Sequence, residues 1–102
     1  MEIFDLASLA AEPHEKRNVN VFFQNDLFKT RMISLEEGGK IPPCVMESYV
    51  MFYVIKGEVE LRKGSEIATL QENQLFISKP ATLSMESATG ARLLGIQIRS
   101  QE

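Results

Sequence analysis

The chain has 102 residues, of which 44% are hydrophobic and 25% are charged, a mixture typical of one soluble globular domain. Its 14 acidic and 11 basic residues leave a net charge of -3, and the scattered Lys and Arg residues exclude the basic stripe of a nucleic-acid-binding protein. The acidic N-terminal stretch without a long apolar run argues against a signal peptide or a membrane anchor, and the single cysteine agrees with a reducing compartment, so we expect a cytoplasmic protein.

The first predicted element is a short helix near the N-terminus. Asp5 can cap a helix, apolar and small residues follow it, and Pro13 ends the run. We therefore predict a helix over residues 5–11, within an N-terminal arm formed by residues 1–18.

From residue 19 onward, runs rich in β-branched and aromatic residues alternate with polar or glycine-containing turns. The predicted strands are VNVFF (19–23), LFKTRMISL (27–35), SYVMFYVIKGEVELR (48–62), EIATL (66–70), LFISK (75–79), ATLSMES (81–87) and ARLLGIQIR (91–99). Because no helix separates them, the pattern predicts an all-β antiparallel barrel or sandwich over residues 19–102.

Two local features constrain the predicted sheets. Pro42 and Pro43 cannot donate to a strand ladder, so we expect them at the start of a strand or on a sheet edge. Residues 49–55 are apolar on both faces of a strand, which a solvent-facing sheet would not tolerate. One face should line the barrel, and the other should be covered by the second sheet, the N-terminal segment or a partner subunit. We expect a homodimer.

Two stretches resemble the conserved motifs of the cupin superfamily. The stretch GGKIPPCVMESYVMFYVIKGEVEL keeps both glycines of the first cupin motif, G-x5-H-x-H-x3,4-E-x6-G, as Gly38 and Gly57, with every interval preserved. The stretch LQENQLFISKPATLSM keeps the proline of the second motif, G-x5-P-x-G-x2-H-x3-N, as Pro80. The resemblance runs from about residue 19 to the C-terminus and implies a double-stranded β-helix, or jelly-roll barrel.

The metal-binding positions of both motifs hold no histidine. Cys44, Met46 and Val50 stand where the first motif has its histidines and glutamate, and Met85 stands where the second has its histidine. The two-residue period of a strand puts positions 44, 46, 48 and 50 on one face, and positions 83, 85 and 87 on another, so the sulfur atoms should converge inside the barrel. The further residues that we expect to line the pocket are Ser48, Phe52, Val54, Phe76, Leu83 and Ser87.

Two functional hypotheses follow from this replacement. In the first, the barrel is metal-free and either non-catalytic or specialised for a small apolar ligand, because Cys, Met and Val serve equally well as adaptable core residues. In the alternative, Cys44, Met46 and Met85 form a copper(I) site of an enzyme or metal-handling protein, since thiolates and thioethers are the soft donors that copper(I) prefers.

The single histidine limits other chemistry. His14 lies in a polar segment outside the predicted barrel strands, so no iron, manganese, zinc or nickel site can be assembled around it. The metal-free sugar epimerases among cupin relatives need a histidine base, and Cys44 has no neighbouring base that would make it a nucleophile. A third hypothesis, in which Glu47, Glu86 or His14 binds a metal, requires a different strand register.

Overall fold

The computed structural model describes residues 1–11 and 20–99, which contain eight β-strands and no α-helix. The strands are β1 (Val21–Gln24), β2 (Phe28–Leu35), β3 (Lys40–Met46), β4 (Val50–Lys63), β5 (Glu66–Gln71), β6 (Leu75–Ser78), β7 (Ala81–Glu86) and β8 (Ala91–Ile98). Within the described ranges, no helix is long and apolar enough to cross a membrane.

All strand pairs are antiparallel, and the longest strand belongs to two sheets. The main order is β1-β2-β8-β4-β7-β3, with β5 and β6 also paired to β4. The first half of β4 pairs with β6 and β8, and its second half pairs with β5 and β7. The sheet therefore curls into two facing layers joined by β4, and the predicted all-β double-stranded barrel is confirmed.

Gly57 is where β4 passes from one layer to the other. Its φ is +84°, and a Cβ at this position would lie 2.2 Å from the carbonyl oxygen of Gly90. The inward face also changes here: Val50 and Val54 point inward before the crossing, whereas Val59 does so after it. Only glycine combines this backbone conformation with such a close approach.

The core fills the space between the two layers. It is built from alternate residues of the strands, as the two-residue period requires. The buried members are Ile33, Leu35, Ile41, Val50, Phe52, Val54, Val59, Leu61, Leu70, Leu83, Met85, Ala91 and Leu93.

The strand that carries the two adjacent prolines lies at an edge, as predicted. β3 is the last strand in the sheet order, and its pairing with β7 shifts register between Ile41 and Cys44, across Pro42 and Pro43. The chain then bends at Ser48 before β4 begins. The prediction that positions 44 to 50 lie on one continuous strand was therefore wrong, because a bend separates β3 from β4.

The predicted N-terminal helix is wrong: residues 6–8 form a single turn. The Asp5 carboxylate accepts a hydrogen bond from the Ala7 amide at 3.2 Å, and the Asp5 carbonyl accepts one from the Ser8 amide at 3.1 Å. The Arg92 guanidinium donates to the Leu6 carbonyl at 2.9 Å, and thus takes an acceptor that a continuing helix would need. A helix of seven residues is only marginally stable by itself, so it does not form in competition with such a tertiary contact.

Candidate functional site

A cavity of about 320 Å³ opens between the two layers of the barrel. Residues from β2, β3, β4, β7 and β8 line it, so its shape depends on both halves of the fold. Most of these side chains are apolar. The volume lies at the lower end of the range of small-molecule pockets.

All four positions that the motif resemblance aligns with cupin metal ligands line this cavity. Val50 and Met85 are buried, and Cys44 and Met46 are half-buried. Phe52 and Leu83, which the strand pattern also predicted as lining, line the cavity from the two facing layers. The structure therefore brings six of the sequence-predicted site residues together.

The three sulfur-bearing residues are spread along the cavity. Cys44 pairs with Leu83, two residues from Met85 on the same strand. Such diagonal neighbours lie roughly 7–8 Å apart, and their Cβ atoms are somewhat closer. Met46 pairs with Ala81, four residues from Met85, which corresponds to about 13 Å along the strand. The three side chains lie on one cavity wall, but their backbone positions are spread along the two strands.

Three other predicted lining residues lie outside the cavity. Ser48 is in the bend between β3 and β4, where the inward alternation is interrupted. Val54 is 0% exposed and is sealed within the core beyond the end of the cavity. Phe76, on β6, pairs with Phe52 and stacks beside it on the same face of the sheet, with ring centroids 6.1 Å apart.

Ser87, the fourth such residue, does not line this cavity. Its side chain forms hydrogen bonds near Gly57, where β4 passes from one layer to the other. Its hydroxyl donates to the Glu58 carbonyl at 2.6 Å and accepts from the Gly90 amide at 2.9 Å. Its own carbonyl and amide bond to the backbone of Gly38 and Gly39. All polar groups of this buried serine are thus used in structure, and none is available to a ligand.

The side chains present do not fit a hard-metal site. Among residues 1–11 and 20–99, no group of three or more His, Cys, Asp or Glu residues is arranged to hold a metal ion. Glu47 is exposed, and Glu86 lies on the outer surface, 3.7 Å from the Lys40 ammonium and 3.9 Å from the Arg62 guanidinium. Neither carboxylate lines the cavity, and His14 lies outside the described residues.

The cavity also has polar lining residues that the motif alignment does not indicate. Lys29, Arg31 and Gln97 line it, together with Asn20. Strand alternation is the signal that points to them, because it puts Lys29 and Arg31 on the same face of β2 as the buried Ile33.

Several solved structures are similar to this chain. The TT1209 protein from Thermus thermophilus superposes with a TM-score of 0.81 at 28% identity, over 98% of this chain and 100% of that one. A cupin superfamily protein from Desulfitobacterium hafniense has a TM-score of 0.75 at 11% identity, over 78% of this chain and 74% of that one.

An RmlC-like cupin family protein with a double-stranded β-helix fold, from Methanocaldococcus jannaschii, has a TM-score of 0.71 at 17% identity, covering 78% of this chain and 76% of that one. No protein-family model matches the chain, and no curated protein matches it. What these similarities establish is a shared fold.

Proposed function

Because this chain has the fold of the cupin superfamily, we propose that it is a cupin-like protein that binds a small molecule in its barrel cavity without a metal ion. One observation carries the proposal. Cys44, Met46, Val50 and Met85, which occupy the family's metal-ligand positions, all line the cavity of about 320 Å³. Replacing histidine and glutamate by these residues turns a coordination site into an apolar surface.

The chemistry of the lining favours binding over catalysis. Among the described residues, the cavity lining contains no His, Asp, Glu or Tyr, the side chains that most often act as general acids or bases. Burial of an apolar ligand against Phe52 and Leu83 would supply the affinity, at roughly 25 cal/mol per Å² of apolar surface. The same fold hosts many functions, so the argument depends on this lining rather than on the family.

A neutral amphiphile tests whether the cavity binds ligands. We expect octan-1-ol to bind with one site per chain in calorimetric titrations. Cys44→Phe extends a phenyl ring from the half-buried wall into the cavity, and should weaken this binding at least about tenfold. Ile67→Phe, at a 57% exposed position on β5, is the matched control and should bind normally. Equal binding by all three proteins would place the alcohol elsewhere and contradict the proposal.

A copper(I) site is the second candidate, because Cys44, Met46 and Met85 all line the cavity. Met46 pairs with Ala81, which lies four residues from Met85 on β7. This separation favours the metal-free alternative, since one ion would have to draw both side chains together. Elemental analysis of protein purified anaerobically with reductant separates the two. We expect less than stoichiometric copper. Stoichiometric copper that disappears in a folded Cys44→Ser variant would support the copper site instead.

We also propose that the protein is a cytoplasmic homodimer. Leu75 and Ile77, on the edge strand β6, are 54% and 59% exposed, and they pair with Tyr53 and Met51 of β4. Together these four side chains form a continuous apolar patch on the outer face of the first layer, here called the β6 patch. A second copy of the chain would cover it. The half-buried Cys44 thiol is compatible with a reducing compartment.

A further inference from the structure

Sulfur-bearing residues are concentrated on one layer of the cavity. The chain has 5 methionines and 1 cysteine. Three of these residues, Cys44, Met46 and Met85, line the cavity from β3 and β7, which pair with each other. Met85 belongs to the buried core, and Cys44 and Met46 pack against it. These three residues are here called the sulfur-rich wall, and they make this layer of the cavity apolar and polarizable.

The facing layer contributes one aromatic ring to the cavity lining. Among the residues that the structure describes, Phe52 is the only aromatic residue that lines the cavity. On one side its ring stacks beside the ring of Phe76, with an interplanar angle of 9°. On the other side Phe52 pairs with Gly95, where a Cβ would lie 3.5 Å from Phe52 Cε1. Because Gly95 has no side chain, β8 does not cover this edge of the Phe52 ring.

Both layers of the cavity favour an aromatic ring over an alkyl group of the same size. A contact between a thioether sulfur and an aromatic ring strengthens binding by roughly two- to tenfold. A pair of aromatic rings gains a similar factor beyond the burial of their surfaces. The sulfur-rich wall faces a layer that supplies only Phe52 as an aromatic partner, so a ring on the ligand would add contacts of both kinds.

We propose that the small molecule bound in the cavity carries an aromatic ring, and that this ring lies between Phe52 and the sulfur-rich wall. This inference rests on the proposed function, because it names the class of molecule that the cavity binds. An aromatic ring gains from both layers in addition to the burial of its surface, whereas an alkyl chain or a saturated ring gains from burial alone.

A pair of alcohols isolates the contribution of aromaticity. 2-Phenylethanol and 2-cyclohexylethanol have the same carbon skeleton and the same hydroxyl group, and the saturated compound has the larger apolar surface, so burial alone favours it. We expect the full chain to bind 2-phenylethanol at least about threefold more tightly than 2-cyclohexylethanol in calorimetric titrations.

Variants without the sulfur atoms test where the ring lies. A protein with both Met46→Leu and Met85→Leu keeps an apolar wall of similar volume. It should still bind 2-cyclohexylethanol, which also shows that it is folded, and should bind 2-phenylethanol no more tightly. Met51→Leu, on the outer face of β4, is the matched control and should keep the preference for 2-phenylethanol.

The outcomes separate this inference from the proposed function. Equal affinities of the wild-type protein for the two compounds, or tighter binding of the saturated one, would overturn the aromatic inference and leave cavity binding intact. A preference for 2-phenylethanol that survives the two leucine substitutions would place the ring away from the sulfur-rich wall and would also overturn it. Binding of octan-1-ol but of neither ring compound would overturn this inference alone, whereas absence of binding by all three alcohols would overturn both proposals.

Discussion

At Gly57 the chain has a φ of +84° and passes so close to Gly90 that no side chain fits between them. Gly57→Ala should therefore destabilise the fold by at least about 3 kcal/mol, because it adds a steric clash with backbone to the cost of a left-handed conformation. Gly64 has a φ of +61° with nothing within 4 Å, so Gly64→Ala should cost only about 1–2 kcal/mol. Urea unfolding measures both, and equal losses would contradict this account of the crossing.

Ser87 supports the same crossing with its hydroxyl, which bonds to the Glu58 carbonyl and the Gly90 amide. Ser87→Ala removes both of these partly buried hydrogen bonds and should lower the free energy of unfolding by about 1–3 kcal/mol. Ser78 is also buried but bonds only to the adjacent Lys79 carbonyl among the described contacts, so Ser78→Ala should cost less. The affinity for octan-1-ol should be unchanged in Ser87→Ala; a weakened affinity would mean that Ser87 faces the ligand.

Two local signals in the sequence, motif spacing and strand alternation, pointed to single residues of the cavity lining. The intervals of the first motif point to Cys44, Met46 and Val50, and all three line the cavity despite the bend at Ser48. Ser87 was assigned to the wall by alternation along β7, but its position follows from hydrogen bonds to distant backbone groups that no local pattern encodes.

At the scale of elements, strands were predictable wherever side chains alternate between core and surface. Most strands begin and end within about two residues of the predicted runs, since polar and glycine turns separate them. β3 was the exception, because Pro42 and Pro43 interrupt its pattern and its pairing shifts there. The predicted N-terminal helix does not form for another reason: a side chain from β8 donates a hydrogen bond to the Leu6 carbonyl, which the helix would have used.

That side chain, Arg92, donates to the carbonyls of both Leu6 and Leu9. Arg92→Met should release the N-terminal segment, so that the backbone amides of residues 5–9 show the low heteronuclear NOE values of a flexible chain. Arg62→Met, which removes an exposed ion pair with Glu60 on the opposite layer, should leave these values unchanged. An N-terminal segment that stays ordered in Arg92→Met would show that other contacts hold it.

At the scale of the whole molecule, the β6 patch predicts self-association. Leu75 and Ile77 are exposed side by side on an edge strand, and burial by a second copy would remove them from water. Sedimentation velocity should show a dimer for the wild type, and a monomer when both residues are replaced by Lys. Ile67→Lys, at an equally exposed position on β5, should remain dimeric. A monomeric wild-type protein would contradict the predicted homodimer.

The fold could be predicted from the sequence, whereas the polar residues that line the cavity could not. Glycine and proline intervals and strand alternation define the barrel because they act locally, at Gly38, Gly57 and Pro80. Strand alternation indicates which face of β2 is inward, but the polar pair that Lys29 and Gln97 form in the cavity lining depends on the pairing of β2 with β8, which no motif interval encodes. Lys29 and Gln97 lie at ordinary positions of their own strands.

The central claim is that a small molecule binds in the barrel cavity, and methyl NMR of protein labelled at methionine tests it most directly. Met46 and Met85 line the cavity, whereas Met1 is fully exposed and Met51 lies on the outer face of β4. On titration with octan-1-ol, the methyl resonances of Met46 and Met85 should shift and saturate at one ligand per chain, with those of Met1 and Met51 unchanged. If Met46 and Met85 do not shift, or if Met51 shifts instead, the cavity is not the binding site.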